Sequence, residues 1–537
     1  MLSAITANIK QQSTTSSDEK HSFTLYQLTR VLEPHLCRLD CLDAITESCA
    51  QLKGGMLINE VFKCTRNGNE AIRTVFCSLM ESLAGRLLHI IDQWIYDGHL
   101  DDHYQEFFIA VNPLVRPDML WFDRFQLRRS MLPSFISFAQ SKKILVTGKS
   151  VSFLREVCKE NSTLKHWDCI RSKRVKDPKT LYLNSQDQYL DAFDTMISST
   201  YAETCRFLLD VLMNRFKLRH HFSAIRRRFL ALPSNKLNDL FMVNCLQGAI
   251  EDCPELQKEP TDILDRISTE LISISPEDSG WDVFTLVYQV NEGPLCTIFS
   301  KECMMMYRII FNFLWRVRRI DLVLWQLSED SHPVLDCGSG LSIELEPIFY
   351  LVHQFRNEAD NFMRCLNHYI YIDVLETHWS EFGASLDDSA DLDDVINLHQ
   401  GFLDRIMTRF LLAKHFCQLA AHLRKVFDTI IEFQDYFGQF AEYMHKHKGD
   451  HVETCPSAKW SKVYKIDRKD YDMRRRFVDK TKSEFGAKFS ILRNFFKKSL
   501  IAFMLKLENE NDEIFLNLVD QINLNGYYDE DMKDVED

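Results

Sequence analysis

From Phe23 onward, apolar positions recur with a helical period. Leu25, Leu28, Leu32, Leu36, Leu39, Leu42 and Ile45 return every three or four residues, which lays them on one face of a helix. Pro34 falls inside this pattern and is expected to kink or restart the helix, because its ring clashes with the preceding turn. Lys53-Gly54-Gly55 ends the pattern. An amphipathic segment over 58–62 follows, then a longer one over 71–96, closed by the turn signal Asp97-Gly98. Pro113, Pro117 and Pro133 make 111–135 read as irregular or briefly extended. Helix is expected to resume near Ser134 and again near Ser150.

Residues 171–192 are charged and weakly periodic, and they read as a linker. Helical periodicity returns over 196–229, then gives way to a polar, proline-containing stretch over 231–260. The run WDVFTLVYQV, between Gly280 and Gly293, is rich in β-branched and aromatic residues and predicts a strand or hairpin arm. Long helices are expected over 300–436, with loops at 329–344 and 381–392. A polar loop covers 444–461, a last helical stretch about 470–505, and a short one about 511–523. The first 21 residues and the acidic tail after Asn525 are expected to be disordered or frayed.

Composition sharpens this reading. Gly and Pro together are 30 of 537 residues, too few for a sandwich or barrel of many short strands. The 38 phenylalanines point to bulky helix–helix packing. The fold class expected is all-α. The formal net charge of −13 argues against a general nucleic-acid binder, whose footprint is a basic domain. The 16 cysteines form no C-x-x-C pair and read as reduced thiols of an intracellular protein. The first twenty residues hold no apolar core, so no signal peptide is expected. No run approaches 18 consecutive apolar residues, so no membrane span is expected.

Candidate chemistry is sparse. VTGKS at 146–150 ends like a phosphate-binding loop, but the first glycine of that motif would fall at Lys143. A turn at Gly148 with Ser150 capping the next helix is the alternative. His445, His447, His451 and Cys455 are metal-competent residue types, yet their spacing only partly matches a zinc site. The pairs Asp101-Asp102 and Asp393-Asp394 read as solvated or helix-terminal charges. No G-x-S-x-G, H-E-x-x-H or G-x-G-x-x-G occurs. No cofactor and no enzymatic activity are expected. Two basic features stand out: 459–498 carries 14 Lys or Arg against 5 Asp or Glu, and YRIIFNFLWRVRRI over 307–320 is an amphipathic arginine-rich segment. Either could meet an acidic partner or a membrane surface, or could be a solvated face covering the core.

Two stretches carry a specific resemblance. WIYDGHLDDHYQEFFI over 94–109 is followed by WFDRFQLRRSMLPSFI and KKILVTGKSVSFLREVC. This resembles the first GRIP motif of the gamma-tubulin complex component family, with Trp94, Gly98, Leu100, Asp102, Tyr104, Glu106, Phe107 and Phe108 matching. SPEDSGWDVFTLVYQV and GPLCTIFSKECMMMYRIIFNFLWRVRRID resemble the start of the second GRIP region. Downstream matches include Tyr369, Val374, Leu375, Glu376, Trp379, Asp391, Leu392, Asp393, His399, Phe402 and Leu403. The resemblance implies an elongated array of helical bundles in two GRIP modules, with a short β-hairpin-like insertion. The modules are expected at 22–192, truncated and making lateral contacts, and at 193–525, binding gamma-tubulin, with an acidic tail at 526–537. Family members carry a long N-terminal extension before this region, so docking of small MOZART proteins lies outside the expectation.

What the family resemblance implies is a non-catalytic scaffold. Its partners would be gamma-tubulin, gamma-tubulin complex component 2 and other components laterally, with no nucleic acid. Its place would be the cytoplasm and cytoskeleton, at the microtubule organizing centre of centrosome or spindle pole, where it would template microtubule nucleation. Arg308, Arg316 and Arg319, with Asn367 and Tyr371 nearby, are expected at the gamma-tubulin face. Trp94, Gly98, Asp102, Tyr104, Phe107, Trp379 and His399 are expected to be structural, with the aromatics in the core. Composition alone equally allows another helical-rod interaction protein or a membrane-tethering subunit. An NTPase acting through VTGKS is the enzyme alternative.

Overall fold

Helix accounts for most of the chain, as its scarcity of turn formers demands. A computed structural model describes residues 6, 7, 10, 25–115, 119–160, 189–230, 267–271, 284–290, 293–337, 342–446, 468–510 and 512–536. The 171–188 part of the linker segment, the 231–260 stretch and all of the His/Cys loop beyond Lys446 fall outside these residues, as does nearly all of 1–21. The chain divides into two units. The first is 1–216 with 292–297 and 390–392; the second is 217–291, 298–389 and 393–537.

The first unit opens with α1 (Leu25–Cys49), α2 (Gly54–Cys64) and α3 (Glu70–Asp92). α1 runs through Pro34 without a restart. Its leucine stripe is only partly core: Ile45 is buried, whereas Leu25, Leu36 and Leu39 are exposed. The stretch Ile72–Asp97 has the length and mean hydropathy of a membrane span. Its apolar side chains nevertheless face protein, with Phe76, Met80, Ala84, Leu88 and Ile91 all buried. α3 continues into a π-helical turn, Gln93–Asp97, which ends at Gly98. The strands β1 (Ile109–Val111) and β2 (Phe125–Leu127) pair antiparallel, with Ile109 opposite Leu127. This is the extended structure expected near 111–135, displaced slightly toward the N-terminus.

α4 (Phe138–Glu156) starts at a capping box, in which Ser137 and Gln140 exchange side-chain to backbone hydrogen bonds. It packs against α5 (Tyr189–Asp210). Gln140 donates to Asp194 at 3.1 Å, and Lys143 to Ser198 at 2.8 Å. Ser150 lies 4.0 Å from Cys205. The partners keep an almost constant offset of 54 or 55 residues, so the two helices run parallel. This pairing is why 189–216 belongs to the first unit. Tyr201 of α5 also donates to Asp391 at 2.6 Å, which ties 390–392 to it.

The second unit begins with α6 (Leu218–Ile225). The strands β3 (Ile267–Leu271) and β4 (Phe284–Tyr288) form an antiparallel pair, with Thr269 opposite Leu286. This is the hairpin arm read from FTLVY. The long helices are α7 (Lys301–Cys337), α8 (Ser342–His368), α9 (Thr377–Asp387), α10 (Leu392–Arg409) and α11 (Cys417–Lys446). They are followed by α12 (Arg468–Thr481), α13 (Ala487–Asn509) and α14 (Glu513–Ile522). A π-helical stretch, Tyr369–Glu376, joins α8 to α9, and another, Lys482–Gly486, joins α12 to α13.

Phenylalanine fills this core. Phe355 stacks on Phe433 at 3.7 Å, and Phe496 meets Phe355 edge-on at 5.2 Å. Phe433 and Phe489 continue the column at 5.0 Å. Each such ring buries enough apolar surface to contribute about 2–3 kcal/mol. The acidic tail differs from the expectation of fraying. Residues 529–536 form a helix, α15 (Asp529–Glu536), and Tyr528 before it is buried. Asp531 pairs with Lys497 at 2.5 Å, and Tyr527 donates to Glu358 at 2.7 Å. An aromatic anchor and an ion pair hold what net acidity alone would leave loose.

Candidate functional site

α7 supplies the arginines expected at a partner face. Arg308, Arg316 and Arg319 are all half-buried. Helical geometry puts Arg308 and Arg319 about 20° apart around the axis and ~16 Å apart along it. Arg318 turns away from them into the unit, where it is buried. Its Nη1 donates to Asp321 at 3.1 Å. Its guanidinium sits 4.8 Å from the Tyr371 ring centroid. Asn367 Nδ2 donates to both Asp321 oxygens, at 2.9 and 3.2 Å. Burial pushes the Asp321 carboxyl above its ordinary range, while the Asn367 amide and the Arg318 charge pull the other way.

Asn367 and Tyr371 therefore meet α7 at Arg318 and Asp321, about 15 Å along the helix from Arg308. The five candidates do not form one cluster. The Arg318–Asp321–Asn367–Tyr371 group is a brace that fixes the end of α8 against α7. Sequence reasoning left out Asp321. The signal was available: Arg and Asp three residues apart on a helix face one another.

The first-motif residues assemble around one indole. Trp94 is fully buried, donates to the Ile144 carbonyl at 2.9 Å and packs on Phe125 at 4.6 Å. It sits so close to α4 that a Cβ on Gly148 would fall 1.9 Å from the indole. Gly148 is thus a packing glycine inside an unbroken helix. There is no turn at Gly148, and Ser150 is no cap: it donates back to Val146 at 2.8 Å in mid-helix. Lys149 is buried with its ammonium 4.6 Å from the Trp121 ring. A phosphate-binding loop presents successive backbone N–H groups; here those groups are spent within the helix.

Gly98 holds φ +61, the left-handed conformation that closes the π turn onto the Trp94 carbonyl. Asp102 then staples the next turn, its carboxylate accepting from the backbone N–H of Glu106 at 2.8 Å and of Phe107 at 2.9 Å. Phe107 is buried and lies 4.1 Å from Phe108. Tyr104 departs from the expected core position: it is 79% exposed. The Asp102 staple folds 102–107 into a turn, and Tyr104 stands on its outer side.

His399 and Trp379 lie in the second unit. His399 is fully buried, with Phe222 and Phe299 against its ring. Its Nδ1 donates to the Ile298 carbonyl at 3.2 Å, and Tyr307 donates to its Nε2 at 2.9 Å. Burial pushes its pKa down to about 4, so the ring is neutral near pH 7. Trp379 is half-buried, between Phe402 at 5.7 Å and the Arg226 guanidinium at 5.0 Å. Trp94, Asp102 and His399 thus have their hydrogen bonds made within the protein, whereas among the described residues the buried Tyr371 hydroxyl and Asn367 Oδ1 make none.

The described residues form an all-α fold whose motif residues sit in internal braces. Comparison with known proteins makes this specific. The family description "Gamma tubulin complex component N-terminal" matches residues 2–215, and "Gamma tubulin complex component C-terminal" matches 210–528. The chain belongs to the gamma-tubulin complex component family. It is 34% identical over 418 residues to a gamma-tubulin complex component 3 homolog of Xenopus laevis, covering 74% of this chain and 45% of that protein. It is 34% identical over 422 residues to gamma-tubulin complex component 3 of Homo sapiens, with the same coverages. Spindle pole body component 98 of Dictyostelium discoideum is 26% identical over 460 residues, covering 73% of this chain and 55% of that protein. The chain spans about half the length of these relatives.

Proposed function

We propose that this chain is a non-catalytic scaffold subunit of a gamma-tubulin complex. Its second unit binds gamma-tubulin. Its first unit contacts neighbouring components, gamma-tubulin complex component 2 foremost. An array of such subunits presents gamma-tubulins as a template for microtubule nucleation, in the cytoplasm at centrosomes or spindle poles. Any nucleotide in the assembly belongs to gamma-tubulin.

One observation carries this reading: both halves of the family description match in order and together span nearly the whole chain. The internal braces support it, since a template must hold its cargo at fixed spacing. The outward side of α7 is the proposed gamma-tubulin face, because arginine's planar fork suits surface carboxylates. The test is capture of purified gamma-tubulin by the full chain across a salt series, alone and with component 2. Binding that weakens with salt is expected. Arg308→Glu with Arg319→Glu is expected to weaken it about tenfold, ~1.4 kcal/mol. Failure of the folded chain to hold gamma-tubulin, with component 2 present or absent, would refute the reading.

A further inference from the structure

α13 buries most of its circumference, with Phe489, Leu492, Phe496, Leu500 and Phe503 all in the core. One stripe is left out. Lys488, Ile491, Phe495 and Lys498 are all exposed and lie within about 80° of one another around the helix. Ile491 is 66% exposed and Phe495 52%. Two large apolar side chains four residues apart, on a helix that had core available on its other sides, are what a contact surface presents. The stripe runs ~15 Å, close to three helical turns.

Its charge is as one-sided as its shape. Residues 475–498 carry eight Lys or Arg against two Asp or Glu; Arg493 and Lys497 are paired with Glu358 and Asp531, so the stripe's own charge is that of Lys488 and Lys498. Among the described residues no carboxylate pairs with Lys488 or Lys498. Lys488 instead rests over the Tyr436 ring at 4.3 Å, which fixes its ammonium beside the stripe. The pattern is therefore lysine, two apolar anchors, lysine along one line.

We propose that this α13 stripe docks an acidic protein helix bearing its own apolar side chains. The apolar pair supplies the desolvated centre and the lysines the rim, the usual division of labour in an interface. A helix laid along α13 would meet Ile491 and Phe495 with side chains three or four residues apart, and both lysines with flanking carboxylates. A lipid surface fits less well. A helix lying in a membrane interface buries a broad apolar face, and here only two apolar side chains project between charges. The stripe lies on α13 rather than α7, and the inference does not rest on the gamma-tubulin reading.

The full chain tests it by fluorescence anisotropy with a labelled synthetic helix of about five turns, leucine along one face and glutamate elsewhere. The same peptide with lysine for glutamate and phosphatidylserine vesicles are the competing probes. The glutamate peptide is expected to bind, with affinity falling as salt rises. Phe495→Ala and the pair Lys488→Glu with Lys498→Glu should each weaken it about tenfold. These side chains are exposed, so thermal unfolding should be unchanged and the loss attributable to the surface. Equal binding by wild type and both variants overturns the proposal. So does preference for vesicles or for the lysine peptide, or failure of the glutamate peptide to bind.

Discussion

His399 shows how a polar side chain can be built wholly into a core. Its two nitrogens are satisfied by Ile298 and Tyr307, and burial lowers its pKa to about 4 from an ordinary 6.5. The folded chain therefore binds fewer protons than the unfolded chain between those values. Stability from this residue is complete above pH 6.5 and is lost as pH falls toward 4, by about 3 kcal/mol over that range. Urea unfolding of wild type and His399→Gln at steps from pH 7 to pH 4 checks this. The wild type should lose more stability on acidification than the variant. The match of His399 to the family pattern was legible in the sequence, but its tautomer and partners were not, because Ile298 is 101 residues away. Tyr104 erred the other way. Its motif neighbours Phe107 and Phe108 are core, and nothing in the residue type reveals that the Asp102 staple turns it outward.

At the scale of elements, α4 explains why one helix reads as two, broken at Gly148. Ser141, Thr147, Gly148, Ser150 and Ser152 are buried along it. Enclosed on several sides, α4 has no polar face, so the periodicity that revealed α7, α10 and α11 is missing. Small side chains are there because Trp94 and α5 approach closely. Gly148→Ala should therefore destabilise the chain by about 1–3 kcal/mol through overpacking against the indole. Gly438, inside α11, has open space where its Cβ would go. Gly438→Ala should be neutral or stabilising by up to about 1 kcal/mol. Denaturant unfolding of the two variants side by side is the measurement. The arginine-rich character of α7 was likewise legible. The Asn367–Asp321 bonds and the Tyr371 ring against Arg318 depend on where α8 ends, which no local pattern encodes.

For the whole molecule, charge and chain order matter most. A net charge of −13 should keep the protein off nucleic acid despite its basic stretch. No mobility shift of duplex DNA is expected at physiological salt; a salt-sensitive shift would contradict this. Chain order has a consequence of another kind. The first unit includes residues 390–392, and Tyr201 finds its partner in Asp391. A ribosome working from the N-terminus finishes residue 216 long before residue 392. At about 5–20 residues per second the gap is roughly 9–35 s. During that interval the Tyr201–Asp391 hydrogen bond cannot form. The first unit is thus complete only at residue 392, well inside the synthesis of the second.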